Sequence, residues 1–252
     1  MSTLRTEPPT AEPALHRAAA TRLRQAVAAH GPAVFTTSLG MEDMVVLDLI
    51  AREGLDVDVV TLDTGRLHEE THALLDAARE RYRLPIRALH PDAPTLEAFV
   101  AAEGANPFLR SIELRRRCCA IRKLEPLRRA LAGRGLWITG LRRAQSVTRG
   151  ALEPLARDPE HGLMKLAPLA EWTLDDVRGY AARHGVPVSA LHARGFPSIG
   201  CAPCTRAIAP GEDERAGRWW WEAPESKECG LHVAADGRIV RARVVETEGG
   251  AA

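Results

Sequence analysis

The chain has 252 residues, enough to bury a sizeable core in one domain with a tail or in two small domains. Its 34 Lys and Arg residues nearly balance its 33 Asp and Glu residues, so no net basic field favours a nucleic-acid or membrane partner. No apolar run is long enough to span a membrane, and the amino-terminal stretch lacks the apolar segment of a secretion signal. We therefore expect a cytoplasmic protein, in which clustered cysteines indicate metal or redox chemistry rather than structural disulfides.

Strands and helices are predicted to alternate along the chain. Short apolar runs predict strands at 33–38, 57–63, 86–90, 136–140 and 164–170. Periodicity and start signals predict helices at 15–29, 43–52 and 67–82, a helix capped by Thr95, and a last helix at 173–184. This alternation predicts an α/β fold, a parallel twisted sheet with helices on both faces. We also predict a disordered leader at 1–13 and, beyond about Gly185, loops that lead into a mobile C-terminal tail.

Two turns follow the first two predicted strands, at the end of a parallel sheet where ligands bind. The first, TTSLGMED at 36–43, offers the Ser38 hydroxyl, close backbone approach at Gly40 and N–H groups at a helix start. In the second, LDTGRLHEET at 62–71, Asp63 either contacts a ligand or merely caps a helix. Ordinary loop chemistry explains each turn alone, whereas two such turns at neighbouring strands favour a nucleotide site. The first turn does not match GxxxxGKS or GxxxxGKT, which disfavours a Walker-type ATPase.

Four of the five cysteines fall into two close pairs, Cys118-Cys119 and Cys201-Ala-Pro-Cys204. Adjacent cysteines suit a tetrahedral zinc site poorly, and a vicinal disulfide needs a strained ring. An iron–sulfur cube takes four thiolates from corners several ångströms apart, and Lys123 with its neighbouring arginines would offset its negative charge. The same basic run is also typical of a solvated helix face. From the residues alone, a cluster, a zinc site and unligated core cysteines all stay open.

Seven segments of the chain, taken together, resemble a known family: TTSLGMED, LDTGRLHEET, CCAIRKLEPL, TGLRRAQS, SIGCAPCTRA, GRWWWE and KECGLH. They are similar to the assimilatory adenylyl-sulfate reductases, the iron–sulfur members of the adenylyl-sulfate and phosphoadenylyl-sulfate reductase family. The resemblance covers about residues 30 to 232 and implies an adenine-nucleotide α-hydrolase-like fold. It also implies one 4Fe–4S cluster on the two cysteine pairs, and reduction of activated sulfate to sulfite with reduced thioredoxin as the donor. Ala144 departs from the acidic residue often found there, and about twenty residues follow ECGLH.

The resemblance also implies roles for individual residues. The Cys229 thiolate would attack the sulfur of adenylyl sulfate so that AMP leaves, and thioredoxin would then release sulfite from the S-sulfocysteine. Lys123, Arg215 and Arg218 would neutralise the phosphate and sulfate, with Arg143 as a further contact. The other substrate contacts that we predict lie in the two turns: Ser38, Gly40, Asp43, Leu62, Asp63, Thr64 and Gly65.

We predict a nucleotide- and cluster-binding domain at 14–210 and a C-terminal segment at 211–252 that carries Cys229. The tryptophans at 219–221 form either a lid or pocket wall, or an aromatic anchor for this segment. The competing functions are a phosphoadenylyl-sulfate reductase, a pyrophosphate-loop adenylating enzyme and a non-catalytic cluster protein, the last of which leaves Cys229 unexplained. A homo-oligomer is compatible with the sequence, which does not fix the oligomeric state.

Overall fold

The computed structural model describes residues 12–145 and 152–223. Within these residues the helices are α1 (Ala14–His30), α2 (Met41–Arg52), α3 (Glu69–Tyr82), α4 (Ala93–Glu103), α5 (Ile112–Cys119), α6 (Glu125–Leu131) and α7 (Leu174–His184). The strands are β1 (Ala33–Thr37), β2 (Val57–Leu62), β3 (Ile86–Leu89), β4 (Leu136–Ile138), β5 (Leu155–Asp158) and β6 (Leu163–Leu166). Most of the predicted leader, the predicted mobile tail and Cys229 lie outside the described residues.

The six strands form one sheet in the order β3-β2-β1-β4-β6-β5. All neighbouring strands run parallel except β5, which pairs antiparallel with β6. Strand β5 was not predicted, because three of its four residues are exposed and no apolar run marks it. The chain leaves β1 towards β2 on one side, and β4 lies on the other side of β1. Such a reversal of strand order opens a crevice at the carboxyl ends of the strands.

Both faces of the sheet are covered, as the alternation of elements predicts. On one face, Phe35 of β1 packs in a cluster with Leu47 of α2 and Tyr180 of α7. On the opposite face, Val34 packs with Leu127 of α6. Successive residues of β1 are therefore buried on opposite faces of the sheet, which explains why the strand begins with three apolar residues in a row.

Helix boundaries follow local capping chemistry. Helix α2 begins at Met41, directly after Gly40, two residues earlier than predicted. The prediction that Thr95 caps α4 is wrong: Asp92 is the N-cap, and its carboxylate accepts from the Thr95 N–H at 3.0 Å. Thr173 caps α7 in a reciprocal capping box, and the helix covers the predicted range. Among the helices described, none has the length and apolarity needed to cross a bilayer.

Candidate active site

A cavity of about 220 Å³ opens at the carboxyl ends of β1, β2 and β4. Its walls come from the turns that follow these strands, from a π-helical turn at Ala120–Leu124, and from loops at 197–200 and 214–219. This is the crevice in which open α/β sheets bind nucleotides. The two turns singled out in the sequence therefore meet in one cavity.

The turn after β1 is held by Ser38 and Asp43. Ser38 donates from its backbone N–H at 2.6 Å and from its hydroxyl at 2.7 Å to one Asp43 oxygen. Burial, helped by the charge of Glu42, raises the pKa of Asp43 to about 6, although the hydrogen bonds from Ser38 and Gly140 oppose the rise. Ser38, Gly40 and Asp43 all line the cavity, as predicted for substrate contacts.

The turn after β4 approaches Asp43 so closely that it requires a glycine. A Cβ on Gly140 would lie 2.1 Å from an Asp43 carboxylate oxygen and 2.9 Å from the Asp43 nitrogen. Any side chain at this position would therefore separate the two turns that form the floor of the cavity.

The turn after β2 contributes two of its four predicted residues to the cavity wall. Leu62 and Thr64 line the cavity, whereas Asp63 and Gly65 shape the turn behind it. Asp63 accepts from the Gly65 N–H at 2.8 Å and from His72 Nε2 at 3.1 Å. Gly65 has a φ of 68°, in the left-handed region that favours glycine. Asp63 therefore stabilises this turn but does not cap α3, whose N-cap is His68, and its predicted contact with a substrate stays a prediction.

Three cations line the cavity: Lys123, Arg215 and Arg218. Lys123 lies in the π-helical turn, whereas the two arginines come from the loop after the second cysteine pair. Arg218 is buried and donates to the Ile199 carbonyl at 3.2 Å. A Cβ on Gly200 would lie 2.3 Å from Arg218 Nη2, so the absence of a side chain at Gly200 leaves room for this guanidinium. The cavity is also lined by the carboxylates of Glu42, Asp43 and Glu214, and its three cations provide binding groups for an anionic ligand.

Arg143 points elsewhere. Its Nε donates to the Leu152 carbonyl at 2.7 Å, and its Nη1 lies 3.8 Å from Glu171. It is not among the residues that line the cavity, so a substrate contact by Arg143 stays a prediction.

Sequence reasoning missed a buried ion pair beside the cavity. The neighbouring Arg142 is 1% exposed and donates to Glu42 through Nε at 2.9 Å and Nη2 at 2.7 Å. The same Nη2 lies 3.6 Å from Glu214, which precedes the cavity-lining Arg215. The pair of adjacent arginines in TGLRRAQS was a visible signal, but the tertiary structure decides which of them turns inward.

The two cysteine pairs come together beside the cavity. Cys118 and Cys119 end α5, immediately before the π-helical turn, and Cys201 and Cys204 flank a short 3₁₀ turn. All four are at most 9% exposed and lie in one apolar cluster with Trp219. None of these four cysteines forms a disulfide.

Buried hydrogen-bond donors also surround the cysteines. Trp219 Nε1 and Arg122 Nε are buried without a hydrogen-bond partner among the described residues, and both side chains border the cysteine cavity. Arg122 also donates to the Thr64 carbonyl at 2.6 Å, and the Thr64 hydroxyl lies 3.3 Å from Cys201 Sγ. Because N–H donors to sulfur stabilise iron–sulfur clusters, this lining fits such a group.

The thiols differ in acidity. Burial and, to a smaller extent, the charge of the neighbouring Cys201 raise the pKa of Cys204 to about 12. Burial also raises the pKa of Cys201, but the Lys123 charge and the Thr64 hydrogen bond outweigh this and lower it overall. Bound iron would supply the positive charge that keeps all the sulfurs ionised.

The tryptophans divide between the two predicted roles. Trp219 is buried and lines the nucleotide-type cavity as well as the cysteine cavity, so it is a pocket wall. The Trp221 ring lies 6.0 Å from Phe108 and packs against the cysteine cluster, in the manner of an aromatic anchor. Trp220 is 43% exposed.

The fold and the site together define a class: α/β proteins with a nucleotide-type cavity at the switch point of the sheet, here bordered by four cysteines. Within that class, the model of the phosphoadenosine phosphosulfate reductase domain matches residues 32–207, and the chain belongs to this family.

Relatives with similar sequences cover most of the chain. The adenosine 5'-phosphosulfate reductase of Sinorhizobium fredii is 53% identical over 213 residues, which are 84% of this chain and 85% of that protein. The protein of the same name from Allochromatium vinosum is 53% identical over 201 residues, which are 79% of this chain and 78% of that protein.

Solved structures confirm the fold. A phosphoadenylyl-sulfate reductase from Candida auris, in a phosphate complex, is 26% identical and superposes with a TM-score of 0.65 over 76% of this chain and 90% of that one. Yeast FAD synthetase in complex with FAD is 17% identical, with a TM-score of 0.51 over 77% of this chain and 66% of that one. The second likeness concerns the fold alone.

Proposed function

We propose that this protein reduces adenylyl sulfate to sulfite and AMP, with reduced thioredoxin as the electron donor and Cys229 as the nucleophile. The observation that carries the proposal is that Lys123 and Arg218 border both the nucleotide-type cavity and the cysteine cavity. Cations in this position can neutralise an anionic substrate on one side and a negatively charged cluster on the other. The shared name of the relatives that are about 53% identical supports the same reaction.

In this proposal the AMP portion of the substrate occupies the cavity at the sheet switch point. The Ser38 hydroxyl, the backbone at Gly40 and the wall formed by Leu62 and Thr64 are the contacts that the cavity offers. The N-terminus of α2 adds N–H groups and the positive end of a helix dipole for the phosphate.

The phosphate–sulfate portion would lie against Lys123, Arg215 and Arg218. Both groups are anions, and the phosphate gains charge as the bond to sulfate breaks. Cations fixed in a cavity that partly excludes water stabilise that developing charge by about 2–4 kcal/mol each.

Cys118, Cys119, Cys201 and Cys204 would hold one 4Fe–4S cluster. When bound, the cluster supplies a fixed charge and a rigid support beside Lys123. Arg122 and Trp219 would hold it in place through the buried N–H groups that border the cysteine cavity.

The reaction has two stages, formation of an S-sulfocysteine on Cys229 and its reduction by thioredoxin, and both conserve atoms and electrons. The Cys229 thiolate attacks the sulfate sulfur, an S–S bond forms, the sulfur–oxygen bond to AMP breaks, and AMP leaves with the electron pair. One thiolate of thioredoxin then attacks the Cys229 sulfur and sulfite leaves; the second thioredoxin thiol displaces the Cys229 thiolate, so that thioredoxin ends as a disulfide. Thioredoxin thus supplies two electrons per sulfite.

The second candidate substrate is phosphoadenylyl sulfate, which carries an additional 3′-phosphate. The solved structure of a phosphoadenylyl-sulfate reductase favours this second substrate, but that protein is only 26% identical to this chain. The relatives named for adenylyl sulfate are about twice as similar, at 53% identity. Kinetics with both nucleotides and reduced thioredoxin decide between them. We expect the higher kcat/KM with adenylyl sulfate; a higher value with phosphoadenylyl sulfate would reverse the assignment, and no sulfite from either would refute the reaction.

Mass spectrometry of the protein and its peptides tests the proposed role of Cys229 as the nucleophile. Protein incubated with adenylyl sulfate in the absence of thioredoxin should release about one AMP per chain and carry a sulfite-sized addition on the peptide that contains Cys229. Reduced thioredoxin should remove the addition and release sulfite. Cys229→Ser should form no adduct, and an adduct on a different cysteine would contradict the role of Cys229.

We also propose the domain limits 14–210 and 211–252, with the second unit carrying Cys229, and a cytoplasmic location in which thioredoxin is reduced. Limited proteolysis followed by mass analysis tests the boundary near residue 210. A stable fragment that ends far from this position would contradict it.

A further inference from the structure

Two histidines and a glutamate from the helical layer converge away from the cavity. His16 lies near the start of α1 and His184 ends α7, and Glu12 directly precedes α1. His16 Nδ1 lies 2.7 Å from Glu12 Oε1, and His184 Nε2 lies 3.0 Å from the same oxygen. The three candidate ligand atoms are all within 4.8 Å of one another. None of these residues lines the nucleotide-type cavity.

The two imidazole rings are held in place by aromatic packing. The His16 ring stacks on Trp172 with centroids 5.1 Å apart and meets Tyr180 edge-on at 4.7 Å. The His184 ring lies 4.2 Å from the Tyr180 ring. The side chains of His16 and His184 are only 9% and 7% exposed. Because the packing already restricts both rings, binding a ligand here costs little side-chain entropy.

The glutamate provides a negative charge and access to solvent. Its side chain is 35% exposed, which leaves a path for an ion and for water ligands. Arg183 Nε lies 4.0 Å from the other carboxylate oxygen, Oε2.

We propose that Glu12, His16 and His184 bind one divalent transition-metal ion of the Zn²⁺, Co²⁺ or Ni²⁺ class, with water in the remaining positions. Two imidazole nitrogens and one carboxylate oxygen are a donor set that these ions prefer, whereas Mg²⁺ and Ca²⁺ prefer oxygen alone. When the ion binds, the two ring nitrogens that face the glutamate give their lone pairs to the metal, and their protons move to the other ring nitrogens or to solvent. The ion would clamp the start of α1 to the end of α7.

The test is zinc binding to the full chain, purified with iron and without oxygen, by equilibrium dialysis and elemental analysis. We expect wild type to bind about one more zinc per chain than His16→Gln or His184→Gln. The affinity of each variant for zinc at this site should be at least tenfold lower than that of wild type. Zinc held by the four cysteines would be present in all these proteins and cancel in the comparison. His161→Gln is the matched control, because His161 is also paired with a carboxylate, Asp158 at 3.0 Å; it should bind zinc as wild type does.

A second variant keeps the test decisive if a histidine variant fails to fold. Glu12→Gln retains the size and the hydrogen-bonding oxygen of a partly exposed residue and loses only its charge. It too should bind zinc at least tenfold more weakly, and zinc should raise the unfolding temperature of wild type by several degrees more than that of this variant. Equal zinc binding by wild type and Glu12→Gln would overturn the proposal.

Discussion

Arg115 and Glu222 form a two-point ion pair with both side chains almost fully buried. Arg115 Nε donates to Glu222 Oε1 at 2.9 Å and Nη2 donates to Oε2 at 2.7 Å, and the side chains are 0% and 2% exposed. The guanidinium also lies over the Trp219 ring, 4.7 Å from its centroid. The pair therefore joins α5, which ends in Cys118 and Cys119, to the segment that carries the cation-lined wall of the cavity.

Glu222→Gln should destabilise the protein by about 3–5 kcal/mol, because it leaves a buried guanidinium without its counter-charge. Urea unfolding followed by circular dichroism measures the loss. The control is Glu125→Gln, which removes an exposed partner of Arg129 and should cost at most about 0.5 kcal/mol. Equal losses in the two variants would show that burial does not govern the effect.

Gly200→Ala should lower activity more than stability. Its Cβ would fall 2.3 Å from Arg218 Nη2, and the flexible guanidinium would move out of its position rather than unfold the loop. We expect kcat/KM for adenylyl sulfate to fall at least tenfold, with a small change in the urea midpoint. Gly179→Ala, where no atom outside the adjoining turns of α7 lies within 4 Å of the new Cβ, should leave kcat/KM unchanged. A wild-type rate in Gly200→Ala would mean that Arg218 need not occupy this position.

Lys123→Ala and Arg218→Ala should each reduce kcat/KM by about 30- to 1,000-fold, which corresponds to 2–4 kcal/mol of lost transition-state stabilisation. Steady-state kinetics with reduced thioredoxin measure the effect. Arg128→Ala removes an exposed cation from α6 and should change the rate less than twofold. If the cavity variants behaved like Arg128→Ala, the anionic part of the substrate would have to bind elsewhere.

Asp43→Asn should stabilise the protein in a pH-dependent manner. The pKa of Asp43 is about 6 in the fold and 3.8 ordinarily, so the folded state binds the proton more tightly than the unfolded state. Asp43 therefore costs no stability below about pH 3.8, and its cost grows to at most about 3 kcal/mol as the pH rises through 6. The free energy of unfolding of Asp43→Asn minus that of wild type should rise over this range. A difference for Asp43→Asn that does not change with pH would contradict the raised pKa.

Cys204→Ser should lose iron, because a serine hydroxyl is a poor ligand for iron–sulfur clusters. Wild type purified without oxygen should be brown and contain about four irons per chain, and the variant should be largely bleached. Cys229→Ser, outside the four-cysteine set, should keep the iron and the colour. Colourless wild-type protein with one zinc on the cysteines would rule out the cluster.

The fold was predictable because its signals are local. Apolar runs such as VDVVTL and helix starts such as Thr173 specify strands and helices by themselves, and their alternation leaves few topologies other than a parallel sheet. β5 escaped prediction because an exposed edge strand needs no apolar run. The capping of α4 by Asp92 rather than Thr95 shows that side-chain geometry decides between two suitable residues.

The site was predictable where a motif fixes the residue type and not where the tertiary structure decides orientation. The four cysteines and Lys123 could be named from their motifs, and they lie together around two adjoining cavities. Only the fold shows that Arg142 turns inward to Glu42 while Arg143 turns out to the Leu152 carbonyl. Adjacent side chains point in different directions, and which of them finds a counter-charge depends on elements about a hundred residues away.

By itself, the sequence determined the α/β class, the family and the chemical types gathered at the site. The tertiary structure decided the gathering of the four cysteines in one cluster, the buried pairing of Arg115 with Glu222, and the convergence of Glu12, His16 and His184. Each of these is a distance between segments far apart in the chain. Such distances are set by how helices and loops pack on the sheet, because local preference constrains only the residues within a turn or two.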